Sequence, residues 1–315
     1  MSRRAPTLSP SESIRKSVSK IKENNLTRLW STTNTPISPP KNSKPNFIIK
    51  WGPPASGKTQ GLKATIEQLG APLNSYINFS VDDPIEAATY FRNATLRIAN
   101  GYFNNVNKNE NSIVKKLNGI TNKNAETFRR VYGDVRKTRN NNGRTFGNKL
   151  NTMILAAMER RVNITFETTG SSDNVWGVPA WPGWLWTKFP QLSSVYNVII
   201  LFPMVPFETT WDRYRRRAAQ MYLKRDGFRF AASKRQLFNL YFTSYVNFTR
   251  NMSSIVKMDK VSRVIVVPHK GSPLEWKPGA MASKGRAGLR TRNRQVMLDL
   301  VNKYITHITN RNFSI

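Results

Sequence analysis

The apolar positions first gather in Asn46-Phe47-Ile48-Ile49-Lys50-Trp51, a short run of buried-strand type. Leu62, Ile66 and Leu69 follow at spacings of four and three, which predicts a helix over 57–70, stopped by Gly70 with Pro72 beyond. Residues 75–80 read as a second strand leading into Val81-Asp82-Asp83-Pro84. Asp83 there suits a helix N-cap and Pro84 the first turn of a helix that runs through Ile85, Ala88, Tyr90 and Leu96. Leu150, Met153, Ile154, Ala157 and Met158 make a further helical stripe, ended by Arg160-Arg161. Residues 162–166 then form a third strand that closes in Glu167-Thr168-Thr169-Gly170. The fourth strand, 195–202, is apolar throughout its centre, as in a parallel sheet buried on both faces. A helix over 208–223 carries Trp211, Tyr214, Ala218 and Met221 on one side and Arg213, Arg216 and Arg217 on the other. A basic, glycine-containing turn, a helix over 235–256, a fifth strand at 261–267 and a last helix over 293–308 complete the pattern.

Between the first strand and the first helix stands Gly52-Pro53-Pro54-Ala55-Ser56-Gly57-Lys58-Thr59, which fits G-x-x-x-x-G-K-[ST]. Gly52 and Gly57 permit backbone turns that aim successive N–H groups at phosphate oxygens. Lys58 offers a cation to the β and γ phosphates, and the Thr59 hydroxyl offers a ligand to Mg²⁺. The helix start points its positive end at the same anion. Strand, loop and helix stand in the order such a loop needs. The fold class is therefore α/β: a P-loop NTPase parallel sheet flanked by helices, with a basic insertion and basic terminal extensions. Ligands of such sheets sit at the carboxyl ends of the strands. Those ends carry Ser56 to Thr59, Asp82 and Asp83, Glu167 to Thr169, and the arginine-bearing helix after Pro206.

Composition changes the picture in two ways. The chain has 315 residues and no cysteine, so disulfides and thiolate metal sites are excluded; its two histidines lie far apart. Its net charge is +32, which attracts polyanions, nucleic acid first and an anionic membrane surface second. The excess lies in a basic tail (1–45), an asparagine- and lysine-rich insertion (101–149) with helical pieces near 112–117 and 125–137, and an extension (269–315) with Arg286, Arg290, Arg292 and Arg294. The domain itself is 46–268. These basic stretches are expected to bind nucleic acid through backbone phosphates without reading sequence, an interaction that weakens steeply with salt. Four tryptophans in 175–189 could stack on bases, but the prolines and glycines among them favour a packed irregular loop. No apolar run is long enough to span a membrane, and nothing at the N-terminus reads as a secretory signal, so an intracellular place is expected.

The order of strand, GxxxxGK[ST], strand ending near Asp82-Asp83, strand ending in Glu167-Thr168-Thr169, and Arg-rich helix before a basic lid resembles the zeta-toxin-like P-loop kinases. The resemblance covers about 46–268. It implies an ATP- and Mg²⁺-dependent phosphotransferase acting on a hydroxyl-bearing acceptor. It implies a base at Asp83, with Asp82 the other candidate, and acceptor or metal-water contacts at Glu167 and Thr168. Arg213, Arg216, Arg217 and Arg229 are then the candidates for the transferring phosphate, with the choice among them open. The basic segments lie outside that family's catalytic core and set its nucleotide-sugar acceptor in question. The asparagine- and lysine-rich style suggests an AT-rich genome, such as that of a large DNA virus, and hence a host-cell or virion location. Two other functions fit parts of the pattern. An NTP hydrolase would need an Asp-Glu pair where this chain has Phe166-Glu167-Thr168; a basic structural protein would keep the loop without activity.

Overall fold

The computed structural model describes residues 43–80, 82–137, 146–170, 191–229, 232–256, 261–277, 283–284, 290–291 and 294–310. The chain falls into two compact units, each described by itself. Among the described residues, one unit (within Ser31–Ser80, Ile154–Tyr214 and Lys234–Ile315) holds the sheet, and the other (within Val81–Met153 and Arg215–Ser233) is helical.

The strands of the sheet unit are β1 (Asn46–Trp51), β2 (Tyr76–Phe79), β3 (Asn163–Thr168), β4 (Asn197–Met204), β5 (Arg263–Pro268), β6 (Leu274–Trp276), β7 (Ser283–Lys284) and β8 (Arg290–Thr291). They lie in the order β2-β3-β1-β4-β5-β6-β8-β7. The pairs β2·β3, β3·β1, β1·β4 and β4·β5 are all parallel. β1 is central, and all six of its residues are buried, as its apolar run requires. Strand β3 runs two residues past its expected end because Glu167 and Thr168 pair with Lys50 and Trp51 of β1. The short strands β6, β7 and β8 were not expected. Two or three residues in a Gly-, Pro- and Arg-rich stretch leave no periodicity to read, and β6 is held antiparallel to β5 by pairing alone.

The first helix, α1 (Lys58–Ile66), continues as a 3₁₀ turn (Glu67–Leu69) and stops at Gly70, whose φ is +75°. Its stripe packs as the spacing predicts: Leu62 and Ile66 join Ile48, Tyr76, Ile199, Leu201 and Ile265 in one buried cluster, with Leu69 against it. Side chains alternate along a strand, so Trp51 faces away from that cluster. It meets Phe248 of another helix edge-on at 5.4 Å, and Phe248 stacks on Phe202 of β4 at 3.9 Å.

The helical unit contains α2 (Asp82–Ala87), α3 (Thr89–Tyr102), α4 (Glu110–Asn118) and α5 (Asn122–Lys137). A single helix was expected across α2 and α3. It breaks at Ala88, whose ψ of 125° is extended. Helix α2 begins at Asp82, so Asp83 lies inside its first turn and does not precede it. Helices α4 and α5 fall where the two pieces of the basic segment were placed, but they are not solvated throughout: Ile113, Val114, Leu117, Ala125, Phe128 and Val135 are buried. Asn109 caps α4 by accepting from the Ser112 amide at 2.9 Å.

Helix α6 (Phe146–Glu159) leads into β3, and α7 (Leu192–Val195) into β4. Helix α8 (Phe207–Leu223) follows β4. Helix α9 (Lys234–Val256) precedes β5, and α10 (Arg294–Asn310) comes last. The turn after α8, expected as a lid, is tied down within the helical unit. Phe228 is fully buried against Phe103 and Phe128, and its amide donates to Thr95 Oγ1 at 3.0 Å. The tryptophan segment, the tail over 1–42, Arg286 and Arg292 lie outside the described residues. Among the described residues, no helix is long and apolar enough to cross a membrane.

Candidate active site

The phosphate loop lies where the sheet topology places a binding crevice. The connection leaving β1 crosses toward β2 on one side, and that leaving β4 leads toward β5 on the other. Their carboxyl ends therefore flank the point where the winding reverses. Pro53 and Pro54 have no N–H, so the loop's amide donors run from Ala55 to Thr59, and the Ser56 amide bonds back to Pro53 O at 3.3 Å. Ala55 takes a positive φ of 60°, a strain of the kind kept at functional sites. Gly57 has φ +83°, and a Cβ there would stand 3.0 Å from the Arg213 guanidinium. Gly52 has room for no Cβ either, since one would lie 2.8 Å from Ser56 Oγ. That hydroxyl is buried with no hydrogen-bond partner among the described residues, an orphaned polar atom in the loop itself.

Lys58, the first residue of α1, turns back into the loop. Its ammonium donates to Gly52 O at 2.8 Å and to Pro53 O at 2.9 Å, and pairs with Glu167 Oε1 at 3.2 Å. The second oxygen of Glu167 faces Lys50 at 3.4 Å. Lys50 is almost wholly buried on β1 and donates to Asn78 Oδ1 at 2.7 Å, which also accepts from Thr165 Oγ1 at 2.7 Å. A polar row of Asn78, Thr165, Lys50 and Glu167 thus closes the carboxyl ends of β2, β3 and β1. The sequence reading missed Lys50 and Asn78; the available signal was a lysine inside an otherwise apolar strand, next to the loop.

Other candidates are placed as follows. Thr59 is exposed in the first turn of α1. The Thr168 carbonyl accepts from the Gly52 amide at 3.1 Å and its hydroxyl from the Gly170 amide at 3.2 Å, so its visible bonds shape the loop's flank. Arg213 is half-buried beside Gly57, and no hydrogen bond or ion pair links it to another described residue. The other arginines are engaged within the helical unit: Arg216 with Glu110 at 3.1 Å, Arg217 with Glu86 at 3.2 Å, and Arg229 with both Asp82 and Glu86. Asp82 also accepts from the Tyr132 hydroxyl. Asp83 is on α2, one residue further along.

Tyrosines of α9 pin the chain at the carboxyl end of β4. Tyr245 accepts from the Val205 amide at 3.0 Å, and Tyr241 donates to Val205 O at 2.6 Å, fixing the chain where β4 passes to α8. Burial, reinforced in both by the neighbouring Tyr304, pushes both phenols far above the ordinary range, so they stay neutral.

No protein-family model matches the chain, and no curated protein matches it. A chain from the molecular and structural characterization of the PezAT chromosomal toxin-antitoxin system of the human pathogen Streptococcus pneumoniae aligns over 95% of this chain and 98% of its own. The identity is 10% and the TM-score 0.44.

Proposed function

We propose that the chain is an ATP-binding P-loop phosphotransferase that moves the γ-phosphate to a hydroxyl acceptor. The observation that carries this reading is a complete phosphate loop after the central strand with the guanidinium of Arg213, unpaired among the described residues, against its Gly57. Phosphoryl transfer spreads charge over the γ-oxygens, and catalysis is chiefly positioning and neutralisation. Loop amides and Lys58 take the phosphates. Arg213 is the arginine for the transferring group, in preference to Arg216, Arg217 and Arg229, whose charges are already met by carboxylates. Magnesium suits a site of few, hard donors that leaves room for water and phosphate oxygens. The Thr59 hydroxyl is a donor of that kind and would hold a Mg²⁺ that neutralises phosphate charge, with Glu167, whose oxygens already face Lys50 and Lys58, reaching it through water. Asp83 is proposed as the base. Asp82 is the weaker candidate because Arg229 and Tyr132 already occupy its carboxylate. A nucleic-acid partner is proposed on charge alone.

The test is ADP formation from ATP, with and without a panel of nucleosides, sugars and nucleotide sugars. Arg213→Ala should lower turnover by about 10²-fold, the scale of one oxyanion-type contact, with Arg213→Lys recovering part. Asp83→Asn should keep ATP binding and lose transfer. Wild-type turnover in Arg213→Ala would overturn its role, and turnover indifferent to every acceptor would favour a hydrolase.

A further inference from the structure

The buried lysine of β1 has no part in the reading above, yet it stands directly against the phosphate loop's acidic neighbour. The register of β1 on β3 sets Lys50 opposite Glu167, so one carboxylate bridges two ammonium groups: Oε2 to Lys50 at 3.4 Å and Oε1 to Lys58 at 3.2 Å. The two lysines differ in freedom. Lys50 projects from the middle of the sheet, is 3% exposed, and is anchored by Asn78, itself tied to Thr165. Lys58 begins a helix and reaches its partners across its own loop.

We propose that Lys50 is a positioning residue that keeps the Glu167 carboxylate compensated and in place while Lys58 exchanges it for a nucleotide phosphate. This rests on the nucleotide-binding reading. Removing one member of a largely buried ion pair leaves the other as an uncompensated charge, which is strongly unfavourable. With Lys50 present, Lys58 can leave Glu167 without that penalty. With Lys50 absent, Lys58 carries more of the compensation of Glu167 and is held there more tightly, so each phosphate must compete for it. Lys50 thus acts on the nucleotide through Glu167 and Lys58 and does not touch it.

The experiment is a double-mutant cycle on the full chain, read by equilibrium binding of ADP and ATP with Mg²⁺ and again with a chelator. Lys50→Met should weaken binding about 10- to 100-fold, the scale of one charge-assisted hydrogen bond. Glu167→Gln should bind at least as tightly as wild type without Mg²⁺. The double variant should bind like Glu167→Gln, because the carboxylate that captured Lys58 is gone. Lys50→Arg should restore most of the affinity. A plain loss of one positive charge near an anion predicts additive effects instead, so additivity in the cycle, or Lys50→Met binding like wild type, overturns the proposal. Where Lys50→Met does not fold, Lys50→Gln keeps a donor for Asn78 without the charge, and the same outcomes apply. If wild type binds no nucleotide, the nucleotide reading fails and this inference with it. If wild type binds and the cycle is additive, the failure belongs to Lys50 alone.

Discussion

Lys58→Ala is expected to lower phosphoryl transfer by at least about 10²- to 10³-fold, the range for removing one preorganised contact to developing oxyanion charge. The ammonium does two jobs that the substitution removes together. It is the loop's mobile cation for β and γ oxygens, and it bridges Gly52 O, Pro53 O and Glu167. Its loss leaves Glu167 still paired with Lys50, so fold stability should change less than activity does. Steady-state turnover and urea unfolding on the same preparation separate the two effects. Turnover near that of wild type would contradict the assigned role.

Gly170→Ala is expected to give the largest loss of stability. Gly170 has φ +62°, where an L side chain costs about 1–2 kcal/mol. A Cβ there would lie 1.7 Å from Trp51 Nε1, and Trp51 is fully buried among Phe202 and Phe248. Forcing that ring aside adds an overpacking cost of about 1–3 kcal/mol. The sum, roughly 2–5 kcal/mol, is a large share of the ~5–15 kcal/mol that a folded protein holds in reserve. Strand β1 leads into the phosphate loop from Trp51, and the Thr168 carbonyl binds the Gly52 amide, so the damage should reach nucleotide affinity. Helix α9 holds the same corner through Ser244 to Thr169 O at 2.6 Å and Asn247 to Gly170 O at 2.9 Å. A shift in the urea midpoint equivalent to less than about 0.5 kcal/mol, the usual effect of a surface change, would contradict the packing described.

Much of the sheet was readable because its signals are local. The apolar run of β1, the glycine-framed loop and the stripe of α1 sit within one stretch of chain, and their order alone fixes a phosphate loop after a buried strand. The rest depends on pairings between distant segments. Lys50 looks like an interruption of a strand until β3 is set beside β1, when it faces Glu167. Helical spacing put Arg213, Arg216 and Arg217 on one side of α8 without ranking them. Their ranking comes from Glu110 and Glu86, which lie some hundred residues earlier and take up Arg216 and Arg217. The turn after α8, basic and containing Gly227, read as a lid through the family resemblance. Phe228 anchors it, through an aromatic cluster that no local pattern announces. Ala88 breaks a helix that propensity alone would continue, a case of tertiary context overriding a weak local preference.

The central claim is that this loop holds a nucleoside triphosphate, and calorimetric titration of the full chain with ATP and Mg²⁺ tests it most directly. The account predicts one saturable site per chain, competed by ADP and lost in Lys58→Ala. Wild-type protein that folds cooperatively yet takes up no ATP, or that binds it equally well as Lys58→Ala, would contradict it.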